Sequence, residues 1–298
     1  MCLFHFLIRM NEVLFAMSKN KRRCASNFPG RHLLINKSLI QELVQLAKLQ
    51  GGDTVLDLGA GTGALAIPLA EKAGKVIAIE NDPVSVEKLK FRAGEKANVI
   101  VKQLDLLQYQ LPSSPFCIVA NIPFSITTPI FEKFLGHSSF LERAVLILEK
   151  GAAKRFTAFP VTNPQILAWR LWYDIRITRT VMPECFSPPP RVEAAVVTVN
   201  RRKNPAIPNG HRGKFKAFAS HVLHDPQQPF FEAVRDIFTT PQIAKLAKAL
   251  RIDRAQPICS LNVQQWEELY LAMLQHAASY RWPKARKGAS KLSPKRKT

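Results

Sequence analysis

The segment TVLDLGAGTGAL, residues 54–65, constrains the fold of this chain more than any other. Val55, Leu56 and Leu58 lie in an apolar run of strand length. Gly59, Gly61 and Gly63 then alternate with Ala60 and Thr62, and an apolar stretch of helical spacing follows. A buried strand passing through a glycine-rich turn into a helix is the first half of a parallel βαβ unit. Glycines at such a turn let the backbone approach a ligand closely. The helix start beyond it offers unpaired N–H groups.

The pattern repeats downstream. Residues 75–80, 98–104, 116–120 and 144–149 read as strands, each rich in Val and Ile. Residues 37–49, 64–72, 84–96 and 129–135 read as helices, and 151–156 opens another. Pro68 is awkward inside the second of these, because proline fits freely only in a first turn. This alternation predicts an α/β fold with a doubly wound, Rossmann-like sheet. Residues 175–181 and 194–200 are closely spaced strands and suggest one antiparallel edge pair. The run Arg201-Arg202-Lys203-Asn204-Pro205 reads as a linker, and only helical spacing follows it. Thr240 is the expected N-cap of one late helix, with Pro241 in its first turn. Asn262 and Gln265 form a capping-box pair before the stripe Val263, Trp266, Leu269, Tyr270, Met273. The expected organisation is therefore a flexible extension at 1–26, an α/β domain at 27–200, a small all-helical domain at 201–282 and a disordered basic tail at 283–298. No internal repeat is visible.

Charge narrows the class of partner. Over 298 residues the formal net charge is +21. Residues 24–200 contribute only +4, whereas 281–298 hold eight basic residues and no acid. Such a tail, interspersed with Pro, Gly and Ser, cannot bury itself. A polyanionic partner is expected, nucleic acid before a membrane surface. No apolar run reaches the roughly 18–20 residues of a membrane span, and no secretory signal is recognisable. The five cysteines are scattered without metal-ligand spacing, which suits a cytoplasmic protein with no structural metal. His221 and His224 are too isolated to make a metal site. Residues 1–16, ahead of Met17, read as an extension without a role in the fold.

The candidate site lies at successive strand ends. Glu80 follows the second strand and can accept both hydroxyls of an adenosine ribose. Asp105, beyond the third, can accept from an adenine amine. Nicotinamide and adenosylmethionine enzymes both fit these features. Asn121-Ile122-Pro123-Phe124, at the end of the fourth strand, separates them. Alkylation of an exocyclic amine needs hydrogen-bond acceptors for the amine hydrogens, here the Asn121 side chain and the Ile122 carbonyl. Pro123 stiffens the turn, and Phe124 offers a face on which an extruded base can stack. Lys150 and Lys154 share one helix face, beside Arg155. With Arg201, Arg202 and Lys203 they are candidate phosphate contacts.

Taken together, these motifs resemble the rRNA adenine N6-methyltransferases, and specifically the macrolide-resistance (erythromycin resistance methylase) branch. The likeness covers about residues 26–282. It includes Asn27-Phe28, Gly30-Arg31-His32-Leu33-Leu34, LDLGAGTGAL, VIAIEND, Asp105, NIPFSITTPI, EKGAAKRF at 149–156 and FSPPPRV at 186–192. The resemblance implies a class I methyltransferase fold. It also implies transfer of one or two methyl groups from S-adenosyl-L-methionine to N6 of one adenine in 23S rRNA, which blocks macrolide, lincosamide and streptogramin B binding. It places His32 and Leu34 in a segment closing over the cofactor. Gly59 and Gly61 would lie at its methionine end, Glu80 at the ribose, Asp105 at the adenine and Asn121 at the transferred methyl. Phe124 and Phe186 would sandwich the target base. The implied partner is 23S rRNA, unassembled or early in assembly, bound by a monomer through a helical RNA-binding domain. Arg31 stands where the family usually has Gln, and Phe124 where it often has Tyr. Two alternatives remain on the sequence: a small-subunit (16S) rRNA adenine dimethyltransferase, and a non-catalytic RNA-binding protein on the same fold.

Overall fold

The computed structural model describes residues 32–136 and 139–284. The expected N-terminal extension, the motif residues 27–31 and nearly all of the basic tail lie outside them. Nine strands and ten helices are described, the helices numbered here in chain order. They are β1 (Leu33–Leu34), α1 (Lys37–Leu46), β2 (Thr54–Leu58), α2 (Ala66–Leu69), β3 (Lys75–Glu80), α3 (Pro83–Ala93), β4 (Val99–Gln103) and β5 (Phe116–Asn121). There follow α4 (Thr127–Phe134), β6 (Leu141–Glu149), α5 (Lys150–Thr157), α6 (Pro164–Trp172), β7 (Tyr173–Val181), β8 (Phe186–Ser187) and β9 (Ala194–Arg201). The chain continues with α7 (Arg212–Val222), α8 (Phe230–Val234), α9 (Thr240–Leu250) and α10 (Val263–His276).

Seven strands form one sheet in the order β4-β3-β2-β5-β6-β9-β7. The first five run parallel. β9 lies antiparallel between β6 and β7, so the two late strands do form an antiparallel pair at one edge. The order reverses between β2 and β5, which opens a crevice at the carboxyl ends of β2, β3 and β5. Ligands bind there in folds of this class.

Side-chain alternation assigns the two faces. Leu56, Ile118, Leu146 and Val197 point into one apolar core, and Val55, Cys117, Val145 and Val196 into the other. Helix α1 packs on the second face, and α4, α5 and α6 on the first.

Several boundaries differ from the sequence reading by a few residues, three of them for a clear local reason. The helix expected at 64–72 shrinks to Ala66–Leu69, with residues 61–65 in turns and Pro68 held within the first turn. Helix α3 begins one residue early because Asp82 caps Ser85 N–H at 2.9 Å with Pro83 behind it. Helix α9 is capped by Thr239, not Thr240, in a reciprocal box with Gln242. The box at Asn262 and Gln265 forms as expected. Helix α6 went unread, although Asn163-Pro164 announces it: Asn163 accepts from Gln165 and Ile166 N–H.

The segment 201–205 is not a break in the core. Phe215, Phe218, Trp266 and Tyr270 belong to the same buried cluster as Leu56 and Ile118. Trp172 at the end of α6 meets Phe215 edge-on at 6.0 Å, and Phe215 meets Tyr270 at 5.3 Å. Arg212 reaches back from α7. It donates to Leu135 and Gly136 carbonyls at 2.8 and 2.9 Å and lies 4.8 Å from the Trp172 ring. No helix of the described residues is long and apolar enough to cross a membrane.

A shared core has a measurable consequence. Phe218→Ala should cost about 3–5 kcal/mol and move the unfolding midpoints of the sheet and of the C-terminal helices together. A separate early transition of the C-terminal helices alone, in urea melts followed by fluorescence and far-UV circular dichroism, would show two independent domains.

Candidate functional site

Glu80 ties the crevice together. It ends β3, is 8% exposed, and one carboxylate oxygen accepts Gly61 N–H at 2.9 Å. The other accepts Asn81 and Asp82 N–H at 2.9 and 2.8 Å. Gly59 and Ala60 N–H both reach the Ile79 carbonyl, at 2.9 and 3.0 Å. The glycine turn is thus folded back over the end of the neighbouring strand.

Gly61 and Gly63 are glycines by necessity. Gly61 has φ +53°, and a Cβ there would stand 3.0 Å from Leu33 Cδ2. Gly63 has φ +89°, and a Cβ there would stand 2.5 Å from Leu89 on α3. The first contact lets the β1 segment lie close over the turn. The second lets α3 pack behind it.

Asp57, two residues before the turn, escaped the sequence reading. It is the one acid inside β2, fully enclosed, and one of its carboxylate oxygens has no hydrogen-bond partner. Burial pushes its carboxyl up to about 8. The Ala66 N–H bond opposes that rise and the Glu80 charge adds to it.

Asp105 lies two residues beyond β4. Its carboxylate accepts Leu107 N–H at 2.7 Å. Lys133 on α4, also unforeseen, donates to the Leu107 carbonyl at 2.6 Å. Burial lowers the Lys133 ammonium and the nearby Asp105 charge raises it. One carboxylate and one ammonium therefore hold the same turn.

Asn121 closes β5 and donates its amide nitrogen to the His32 carbonyl at 2.8 Å. A carbonyl can only accept, so this bond fixes which end of the amide is which. The side-chain oxygen is left as the acceptor that chemistry on an amine requires. Ile122 N–H is held by the Ile147 carbonyl at 3.1 Å, and Thr127 donates its hydroxyl to the Phe124 carbonyl at 3.1 Å. The turn at Pro123 and Phe124 is thus fixed on both sides.

Phe186, expected to hold the target base together with Phe124, lies in the core in this structure. Phe186 is 2% exposed. It pairs with Leu34 across the two-stranded β1–β8 ribbon and joins the core beneath it. The ring beside the half-buried Phe124 is that of His32, 6.1 Å away, held through Nδ1 at 2.7 Å from the Pro188 carbonyl. Leu34 is buried and supports the segment, while the partly exposed His32 lies beside Phe124.

The six candidate RNA contacts divide. Lys154 and Arg155 are exposed on α5. Lys150 is paired with Glu193 at 2.8 Å, and Arg202 lies 3.7 Å from Glu267. Lys203 is exposed. Arg201 turns inward and donates to Leu141 and Ser139 carbonyls at 2.7 and 2.6 Å, so its guanidinium braces the end of the sheet. Its placement as a phosphate contact is corrected accordingly. Among the described residues, no cluster of three His, Cys, Asp or Glu side chains is placed to hold a metal ion.

Asp57 gives the site a pH signature. Its carboxyl is higher in the folded chain than the ordinary 3.8, so its contribution to stability is full below about pH 4 and is lost as pH rises towards 8. Glu267, also raised by burial, acts in the same direction. Asp57→Asn should therefore flatten the decline of Tm between pH 4 and 8 without abolishing it. An unchanged slope would assign the titration elsewhere.

Comparison with known proteins agrees with this geometry. The family model described as ribosomal RNA adenine dimethylase matches residues 18–275. An rRNA adenine N-6-methyltransferase of Bacillus licheniformis is 40% identical over 270 residues, covering 90% of this chain and 94% of that protein. The ribosomal RNA small subunit methyltransferase A of Magnetococcus marinus is 34% identical over 200 residues, covering 64% of this chain and 70% of that one. Among solved structures, the 23S rRNA methyltransferase ErmE shares the fold. Its TM-score is 0.73 at 20% identity, over 82% of this chain and 100% of that one. With its glycine turn, strand-end carboxylates and Asn-Ile-Pro-Phe turn set in one crevice, the chain belongs to the ribosomal RNA adenine dimethylase family and is an S-adenosylmethionine-dependent rRNA adenine methyltransferase.

Proposed function

We propose that this enzyme methylates N6 of a single adenine in 23S rRNA, adding one or two methyl groups, and thereby confers macrolide, lincosamide and streptogramin B resistance. The observation that carries the reading is the extent of likeness. The rRNA adenine N-6-methyltransferase of Bacillus licheniformis is 40% identical over 90% of this chain, against 34% over 64% for the small-subunit relative, and the 23S rRNA methyltransferase ErmE shares the fold.

The residues present fit an adenosyl ligand. Carboxylates stand at the ends of successive strands beside the glycine turn. On this reading Gly59 and Gly61 lie at the amino-acid end, Glu80 at the ribose and Asp105 at the adenine. His32 and the supporting Leu34 cover them. S-adenosylmethionine, when bound, supplies an electrophilic methyl group. Asn121 Oδ1 and the Ile122 carbonyl accept the hydrogens of the target amine and turn its lone pair towards that methyl. Pro123 keeps the turn rigid, and Phe124 stacks the extruded base. Phe186 acts from below, as the buried support of the His32 segment. The alkylated nitrogen is cationic and sheds its proton to water, so no strong base is needed. Positioning and a preorganised polar site carry the rate. Lys154, Arg155 and Lys203 contact phosphates, with Lys150 and Arg202 at their margin.

Two experiments test this. Asn121→Ala should lower kcat for methyl transfer by on the order of 10²–10³ with the fold retained by circular dichroism; undiminished transfer would reject the site. Mass spectrometry of rRNA from a macrolide-sensitive host expressing the protein should show added methyl on one 23S adenine, together with resistance. Methyl groups on small-subunit adenines in a host that stays sensitive would replace this reading with the small-subunit one.

A further inference from the structure

The glycine turn has a second neighbour that the reaction as derived does not use. The outer face of α3 carries Val84, Lys88 and Phe91 at helical spacing, with Arg92 beside them. Phe91 is 88% exposed, the highest value for a large apolar side chain among the described residues, and Val84 is 49% exposed. Core packing does not explain an aromatic ring so placed. Lys88 and Arg92 flank it, and Lys90 and Lys96 are exposed nearby. Thr62, Glu87, Lys88, Phe91 and Arg92 line an open hollow of about 520 Å³.

That hollow is joined to the acceptor pocket by named contacts. Arg92 donates Nη1 to the Thr62 carbonyl at 2.9 Å. Thr62 adjoins Gly61, over which Leu33 lies close. His32 follows, bonded to Asn121 and beside Phe124. A relay of contacts therefore links the α3 hollow, through Arg92, Thr62, Gly61 and the His32–Leu33 segment, to the place proposed for the target base.

We propose that this face of α3 is a second RNA contact, where Phe91 stacks an unpaired base flanking the target adenine and Lys88 and Arg92 attract its phosphates. The inference rests on the reading that the substrate is RNA. Charge selects the occupant: the chain carries a net +21, and on or next to α3 four cations, Lys88, Lys90, Arg92 and Lys96, stand against three acids, Asp82, Glu87 and Glu95. An aromatic face among cations suits single-stranded nucleic acid, since every base has a face to stack and every linkage a charge. Extrusion of an adenine leaves its neighbours unstacked, and such bases are the ones an exposed ring can capture.

The test uses the full-length protein and a 23S rRNA fragment containing the target, with Phe91→Ala and Phe91→Tyr. Phe91→Ala should raise the KM for RNA about five- to thirtyfold, leaving kcat, the Kd for S-adenosylmethionine and Tm unchanged. Phe91→Tyr, which keeps the stacking face, should restore KM to within about twofold. An unchanged KM for Phe91→Ala overturns the proposal. So does a fall in Tm with unchanged RNA affinity, which would make the ring a cover for another part of the chain, and so does a change in oligomeric state, which would make it a protein contact. Failure of the wild type to methylate any rRNA would instead reject the underlying reading.

Discussion

Glu80 accepts three backbone N–H groups, from Gly61, Asn81 and Asp82, and most of the crevice depends on that. Without an acceptor at the end of β3, the Gly61 N–H of the glycine turn would be a buried donor without this partner, and the turn would lose its side-chain tie to β3. With it, the turn is pulled towards β3, Gly63 opens room for Leu89, and Gly61 opens room for Leu33. The carboxylate thus sets the distance between the sheet and the segment that covers it. Charge-assisted bonds of this kind are roughly twice as strong as neutral ones, which suits a group with so many dependants. Any ribose that reaches Glu80 meets a carboxylate already oriented by the backbone, so little ordering remains to be done on binding.

Asn121 plays the corresponding part on the other side. Its bond to the His32 carbonyl spans 89 residues of chain and joins the end of β5 to the β1 segment. The same bond determines which amide atom is left to face the amine of the proposed substrate. One contact therefore closes the crevice and sets the polarity of the acceptor pocket. Phe186 contributes by packing: buried under Leu34, it holds the short ribbon against the sheet.

Much of this was legible in the sequence. Glycines after a buried strand, acids at successive strand ends and Asn-Ile-Pro-Phe are local signals, and the parallel sheet follows from strand and helix alternation. Other features were not local. Nothing in FSPPPRV says that Phe186 faces inward, because that depends on its pairing with Leu34, 152 residues away in the chain. Arg201 looked like part of a basic linker until Leu141 and Ser139 carbonyls were seen beside it. Asp57 and Lys133 carry no local signal in the sequence, because one lies in an apolar strand and the other on an amphipathic helix. What singles them out is enclosure for Asp57 and the carbonyl it reaches for Lys133.

The distribution of ionisable groups bears on how the proposed chemistry proceeds. Glu80 is occupied with N–H groups, and Asp57 is enclosed and pushed towards its neutral form. Asp105 accepts from Leu107 N–H. None of these is poised as a strong base at the amine, and His32 is engaged through Nδ1 with the Pro188 carbonyl. For displacement by an aromatic amine this is no deficiency. The nitrogen's proton becomes acidic only after the bond to carbon forms, and water is then base enough. What the nitrogen lacks beforehand is a localised lone pair, and in the proposed mechanism Asn121 Oδ1 and the Ile122 carbonyl supply that. A site whose oriented parts are hydrogen-bond acceptors and a flat ring, with its acids spent on holding backbone, is built to hold an amine still rather than to move protons.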